Sequence, residues 1–168
     1  MNVMAREIAA ALEVCAAITT SGELRFGTCL LNPPNGSALG DLERGKRFVS
    51  DLLAGETVRI EGSAPWLAQA QLPEDAQARL TVHVSHVERS PAKDELLIYP
   101  RNVVVAVSPG MADVPTAVRA ALHQAAIAQQ SLVCLLACET EMASPALREA
   151  AIELDVPLRF AKPEALRG

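Results

Sequence analysis

Two short segments hold the side chains best suited to bind a ligand, and each follows an apolar run. They are residues 108–113 (SPGMAD) and residues 138–144 (CETEMAS). The first leads into a predicted helix, whose free backbone N–H groups suit a carboxylate, although Asp113 competes for them. Ligands of open α/β sheets bind beyond the carboxyl ends of the strands, so both segments are candidate binding loops. The alternative is that both are ordinary strand-to-helix turns. The predicted substrate-binding residues of these loops are Ser108, Gly110, Glu139 and Glu141.

Histidine and cysteine spacing does not indicate a metal site. His83 and His86 are three residues apart in a predicted strand and therefore face opposite sides, and His123 lies on a predicted helix. Cys134 and Cys138 point to one face of a predicted strand, where buried reduced thiols are the favoured interpretation. We therefore predict no metal site and no cofactor, and we assign no catalytic residue.

Arg101 is the fifth predicted substrate-binding residue, because it directly precedes a buried β-branched run. Its guanidinium is either an anion contact or an ordinary surface group.

Composition excludes several functional classes. The 168 residues carry 15 basic and 20 acidic side chains, a net charge of −5, and only 3% are aromatic. An acidic chain with few stacking side chains is a poor nucleic-acid binder. No apolar run approaches the roughly 20 residues that a membrane-spanning helix needs. Charged residues interrupt the first twenty positions, which favours an amphipathic helix over a signal peptide. The expected location is cytoplasmic.

The last third of the chain alternates strands and helices. Strands are predicted near residues 102–107, 131–137 and 157–161, and helices near 114–129 and 145–154. Asp113 and Ser144 are the predicted helix caps, and a proline follows the second. The β-branched run at the first strand is typical of a strand covered on both faces. The residues predicted to be buried here are Val103, Val105, Val133, Leu135, Leu122 and Leu147.

The middle of the chain is predicted to be β-rich and less regular. Asp41 caps a helix over residues 42–53, which Gly55 ends. Strands are predicted at residues 57–63 and 80–87. The side chains of this helix predicted to turn inward are Leu42, Val49, Leu52 and Leu53.

Four stretches of the sequence resemble the cobalamin-biosynthesis family called CbiG/CobE. They are YPRNVVVAVSPGMADVPTAVRAALHQA, SLVCLLACETEMASPALREAAIELDVPLRFAKPEAL, ALGDLERGKRFVSDLLAGETVRIEGSAPW and NVMAREIAAALEVCAAITT. The first two resemble the family's C-terminal α/β domain, the third its linker region, and the last the end of its N-terminal domain. The resemblance covers most of the chain and is weak over residues 22–38.

The resemblance implies a role in the corrin pathway. Full-length members resemble hydrolases that open the ring-A lactone of cobalt-precorrin-5A with water and release acetaldehyde. The implied ligand is a corrin or precorrin intermediate, and a precorrin methyltransferase is a plausible protein partner. Alternatives are a non-catalytic tetrapyrrole-binding or partner-binding protein of the same pathway, and an α/β interaction domain unrelated to corrins.

This chain departs from the family pattern at both loops. Residues 106–112 (AVSPGMA) lack the cysteine, the two bases and the glycine positions of the family's first turn. In the second turn, Glu139 keeps a carboxylate and Glu141 stands where the family has a lysine. A corrin ring carries many carboxylate arms, so these changes should weaken its binding. Glu139 is predicted to point at residues 108–110.

The expected fold class is α/β, with a three-layer C-terminal domain on a mixed, mainly parallel sheet that follows a β-rich linker domain. The expected divisions are residues 1–22, a remnant of an N-terminal domain, residues 23–100, the linker region, and residues 101–168, the C-terminal domain. Residues 3–20 should form a helix and an edge strand, which favours a homodimer because an edge strand recruits a partner.

Overall fold

The computed structural model describes residues 30–34 and 36–163 of the chain, which folds into two compact units. The described parts of unit 1 include Leu39–Val84 and Pro91–Ile98. The described parts of unit 2 are Gly36–Ala38, Ser85–Ser90 and residues 99–163. The prediction for residues 3–20 lies outside the described residues.

Helix α1 of unit 1 spans Leu42–Leu53, as predicted. The carboxylate of Asp41 accepts a hydrogen bond from the backbone N–H of Arg44 at 2.7 Å, which satisfies one of the free donors at the helix start. Gly55 follows the helix with φ +99°, a conformation that glycine adopts at little cost. Phe48, Val49 and Leu52 form the buried face of α1. The inward prediction is wrong for Leu42 and Leu53, which are exposed.

A four-stranded sheet contains the strands of unit 1. Its strands are β1 (Ser37–Leu39), β2 (Val58–Glu61), β3 (Leu80–Val84) and β4 (Glu95–Pro100), in the order β1-β4-β3-β2. Strands β2 and β3 and residues 95–98 of β4 belong to unit 1, whereas residues 37–38 and 99–100 belong to unit 2. Strands β2, β3 and β4 are parallel, with Glu61 level with His83 and Thr81 level with Glu95. The prediction of a strand over residues 80–87 is too long, because β3 ends at Val84.

The two faces of this sheet differ in polarity. One face is apolar and belongs to the core that also contains the buried side of α1. Its members include Val58, Leu80, Val82, Val84, Leu96 and Ile98. The other face carries Arg59, Glu61, Thr81, His83 and Glu95, together with the buried Leu97 and Tyr99 of β4, and we call it the polar face. Strand periodicity places these side chains together because every second residue points the same way.

Arg79 links three separate parts of unit 1. Its guanidinium lies 2.6 Å from Asp94 and 3.5 Å from both Asp51 and Glu56. Desolvation lowers the pKa of Arg79, and the three carboxylates more than offset this, so that the pKa is raised above its usual value. A raised pKa on a base stabilises the fold at pH values below the unfolded pKa, so Arg79 contributes throughout the neutral range.

Unit 2 contains a three-stranded parallel sheet with one helix in each connection. The elements are β5 (Val103–Ala106), α2 (Val114–Gln124), β6 (Leu132–Cys138), α3 (Pro145–Glu153) and β7 (Leu158–Ala161), and the strand order is β5-β6-β7. This is the predicted succession. Asp113 caps α2 by accepting from Thr116 N–H at 3.2 Å, and Ser144 caps α3.

Helix α2 is shorter than predicted. It ends at Gln124, five residues before the expected end, because Ala126 takes a positive φ of 53°. The backbone after it pairs with another segment of unit 2: Glu88 N–H donates to Ala126 O, and Ala128 N–H donates to His86 O, each at 2.8 Å. These bonds replace the helical bonds that a longer α2 would make.

Both helices of unit 2 pack on one face of its sheet. They share a single core with Val105 of β5, Leu135 and Ala137 of β6, and Phe160 of β7. Val104 points to the other face and is 49% exposed, so the expectation that β5 is covered on both faces is wrong. The third layer expected for this domain is not among the described residues.

Leu122, Leu135 and Leu147 are buried as predicted, whereas Val103 and Val105 are only partly buried against this core. Val133 is also only partly buried, because the β5–β6 register skips it: Val103 pairs with Leu132 and Val104 with Cys134.

The fold class is α/β with mainly parallel sheets, as the sequence predicts. Within residues 30–34 and 36–163, no helix has the length and apolar character needed to cross a bilayer. The expected divisions after residues 22 and 100 stay predictions.

Candidate functional site

The two predicted loops meet at the carboxyl edge of the unit 2 sheet. Strands β5 and β6 are parallel neighbours, so the segments that follow them emerge side by side. Gly110 N–H donates a hydrogen bond of 3.1 Å to Glu141 Oε1, which joins the loops directly. Gly110 has φ +76°, and this left-handed turn suits glycine best. The structure therefore brings Gly110 and Glu141 together, with Ser108 exposed two residues before Gly110.

The prediction that Glu139 points at the first loop is wrong. Residues Glu139–Glu141 form a single 3-10 turn, in which side chains no longer alternate as they do on a strand. Glu139 is exposed, and it is Glu141 that reaches Gly110. The two carboxylates therefore have different environments in spite of their spacing.

The first loop makes a hydrogen bond to only one of the two carboxylate oxygens of Glu141. Oε2 is buried and has no hydrogen-bond partner among the described residues. Burying a polar atom in this way is costly unless another group pairs with it. A basic side chain lies near this loop, since Arg148 Nη2 on α3 donates to Met142 O at 2.9 Å. The edge therefore combines a carboxylate, a backbone donor and an arginine.

Arg101 does not belong to this edge. It precedes β5 and lines a shallow cavity with Gln129 and Gln130, which precede β6, and with Asp155 and Val156, which precede β7. In a parallel sheet these positions all lie at the amino edge, opposite the two loops. The predicted group of five site residues is therefore divided between two ends of the sheet.

The polar face of unit 1 contains a second cluster, which the spacing arguments missed. His83 Nδ1 lies 3.1 Å from Glu61 Oε2 and 3.8 Å from Glu95 Oε1. One ligand atom from each of the three residues can be chosen so that all lie within 4.8 Å of one another. Such a set of one imidazole and two carboxylates can hold a cation or share a proton.

Neighbouring groups hold this cluster in place. Ala92 N–H donates to Glu95 Oε2 at 2.9 Å, and Arg44 of α1 donates to Ala92 O at 2.6 Å. Arg59 Nη2 lies 2.9 Å from Glu61 Oε1 and 3.4 Å from Thr81 Oγ1. The Glu95 side chain is only 6% exposed, so its orientation is set by packing and by these bonds.

Sequence spacing could not have assembled this cluster, because Glu61 and His83 are 22 residues apart. The signal that was present is the alternation of polar and apolar residues in β2 and β3, which marks a polar face without giving the register between strands. His86 does not share the environment of His83, because it lies beyond the end of β3 and is exposed.

Cys134 and Cys138 are free thiols, the first partly buried and the second buried. No protein-family model, curated protein sequence or solved structure matches this chain.

Proposed function

We propose that this chain is a cytoplasmic protein of cobalamin biosynthesis that binds a corrin or precorrin intermediate at the carboxyl edge of unit 2. One observation carries the site: the Gly110–Glu141 hydrogen bond of 3.1 Å joins the two loops into a continuous surface. This edge is where open α/β sheets bind their ligands. The assignment to the corrin pathway rests on the resemblance of four stretches of sequence to the CbiG/CobE family.

The proposed reaction is hydrolysis of the ring-A lactone of cobalt-precorrin-5A with release of acetaldehyde. Opening a lactone requires a water molecule to lose a proton as its oxygen attacks the carbonyl carbon, and the acyl C–O bond then breaks. The freed hydroxyl loses its proton as the C–C bond to the macrocycle breaks, which releases acetaldehyde and leaves the electron pair on the macrocycle. A carboxylate near the substrate can accept the proton of the water. The proposal includes Glu141 as that base: its Oε1 accepts from Gly110 N–H, and its buried Oε2 would have to open to the attacking water when the substrate binds.

A second candidate is a non-catalytic corrinoid-binding protein, which also fits a role as partner of a precorrin methyltransferase. The observation that favours it is the occupation of the Gly110 N–H by Glu141, which acts as an internal anion where a corrin carboxylate would bind. Arg148 offers a positive charge at the second loop. Binding without catalysis needs only such donors and cations.

The binding proposal is tested by changing the charge of Glu141. Glu141→Lys removes a repulsion, adds an attraction and frees Gly110 N–H for the ligand. Each charge effect at a partly solvated site is about 1 kcal/mol. Calorimetric titration with a cobalt-precorrin should therefore show binding about ten- to thirtyfold tighter than wild type, because about 1.4 kcal/mol is tenfold.

Glu139→Lys is the matched control, since it makes the same change of charge two residues away on an exposed side chain. It should alter affinity much less than Glu141→Lys. Equal effects would show that the response is to net charge alone. Unchanged or weaker binding by Glu141→Lys would remove the corrin site from this edge.

Acetaldehyde release separates the two candidates. A purified wild-type chain that converts cobalt-precorrin-5A should release one acetaldehyde per lactone opened, detected with an alcohol dehydrogenase and NADH. Binding without acetaldehyde would support the non-catalytic candidate. The size of the protein in solution, measured by light scattering, tests the expected homodimer.

A further inference from the structure

Three adjacent parallel strands each contribute one side chain to the cluster on the polar face. Glu61 ends β2, His83 lies near the end of β3, and Glu95 begins β4. The β2–β3 register places Glu61 level with His83, and the β3–β4 register places Glu95 one pleat lower, level with Thr81. Rigid strands hold ligands more reliably than loops do.

The distances suit a small divalent cation. Tetrahedral zinc with bonds of about 2.1 Å holds its ligand atoms about 3.4 Å apart. Here His83 Nδ1 lies 3.1 Å and 3.8 Å from the two carboxylates, and the widest separation in the set is within 4.8 Å. The side chain of Glu61 is 43% exposed and has room to close the remaining gap, whereas that of Glu95 is held by Ala92 N–H.

The charge and the burial of the cluster also favour a bound cation. The Glu95 side chain is almost fully buried, and the Glu61 side chain is half-buried. Both carboxylates lie beside the imidazole of His83. Buried charges require pairing or metal coordination. Arg59 neutralises one of them through Glu61. A divalent cation placed between the two carboxylates would be attracted by both of them.

We propose that Glu61, His83 and Glu95 form a binding site for a divalent transition-metal ion, with zinc as the best-fitting metal. One imidazole nitrogen and two carboxylate oxygens suit zinc, and three protein ligands leave the fourth position open to water or another ligand. The site does not depend on the corrin proposal, because all three ligands belong to unit 1 and the proposed corrin edge belongs to unit 2.

The test uses the full chain, stripped with a chelator and dialysed. Titration with Zn²⁺ in the calorimeter should show one ion bound per chain. Thermal unfolding should shift upward with Zn²⁺, because an ion that binds only the folded state stabilises it. Co²⁺ as a probe should give visible d–d bands without the intense ultraviolet band of a thiolate ligand.

Two substitutions and one control make the test specific. His83→Ala and Glu61→Gln should weaken Zn²⁺ binding by more than about 100-fold, beyond the roughly 10- to 100-fold effect of losing an outer-shell partner. His123→Ala is the matched control. The His123 Nδ1 atom also lies 3.1 Å from a carboxylate, that of Glu88, but this pair is in unit 2 and outside the cluster. Its loss should leave Zn²⁺ affinity unchanged.

Several results would overturn the proposal. These are no zinc-dependent stabilisation of the wild type, equal affinity in His83→Ala, or a Co²⁺ spectrum with a thiolate band, which would place the metal on a cysteine. Glu61→Gln alters a half-exposed side chain and should keep the fold even if His83→Ala does not. Its circular dichroism spectrum should match that of the wild type, so its affinity alone can decide the question.

Discussion

At the level of single residues, Arg59 competes with a bound cation for Glu61 on the polar face. Its guanidinium lies 2.9 Å from Glu61 Oε1, so the same carboxylate serves the ion pair and the proposed metal. Arg59 and the metal also repel each other. The Glu61 carboxylate therefore pairs either with Arg59 or with a bound metal ion. Substituting Arg59 should change the affinity for the metal.

Arg59→Gln should tighten Zn²⁺ binding by about three- to tenfold, since removing one half-exposed like charge is worth about 1 kcal/mol. Calorimetric titration measures the effect. Arg119→Gln is the control, because Arg119 forms a comparable ion pair of 2.8 Å with Glu153 in unit 2. It should leave the zinc affinity unchanged. Weaker binding in Arg59→Gln would mean that Arg59 orients Glu61 more than it repels the metal.

At the level of elements, the turn after β2 fixes the position of Glu61 beside His83. Gly62 follows Glu61 with φ +92°, and a Cβ placed there would collide with the carbonyl oxygen of Val84 at the end of β3. Only glycine combines this backbone conformation with so close an approach. The end of β2 is thereby held against the end of β3, next to His83.

Gly62→Ala should destabilise unit 1 by more than the roughly 1–3 kcal/mol that a positive φ alone costs a non-glycine residue. Gly55→Ala separates the two causes, because Gly55 has a similar φ of +99° and open space around its Cα. Urea unfolding should show the larger loss for Gly62→Ala. Equal losses would show that the collision with Val84 is relieved by a small backbone shift.

At the level of the whole molecule, the two units have separate hydrophobic cores. The core of unit 1 lies between α1 and its sheet, and the core of unit 2 lies between its sheet and the helices α2 and α3. Leu135 in the second core is fully buried, whereas Val104 on the opposite face of the same sheet is half-exposed. A substitution in one core should therefore loosen mainly its own unit.

Leu135→Ala should cost about 2–5 kcal/mol, as loss of a buried leucine does. Hydrogen exchange followed by mass spectrometry should show faster exchange in β5, β6, β7 and their helices, with β2, β3 and β4 little affected. Val104→Thr, on the exposed face, should stay within about 0.5 kcal/mol of wild type. Faster exchange in both units would show that the cores unfold as one.

Local features of this chain were determined by the sequence alone. Among residues 30–34 and 36–163, Asp41, Asp113 and Ser144 cap the three α-helices as predicted, and the alternation of strands and helices after residue 101 follows the predicted order. A cap depends on residues three positions apart, and strand or helix periodicity depends on immediate neighbours. The meeting of the two loops also followed, because adjacent parallel strands end at one edge.

Only the tertiary structure decided which side chains meet. That Glu141 rather than Glu139 reaches Gly110 depends on a 3-10 turn that the spacing does not reveal. That His83 lies between Glu61 and Glu95 depends on the register of three strands. That Val104 is exposed depends on both helices packing on one face. The strand register and the direction in which each side chain points are set by the packing of whole elements against each other. Neither can be predicted from neighbouring residues alone.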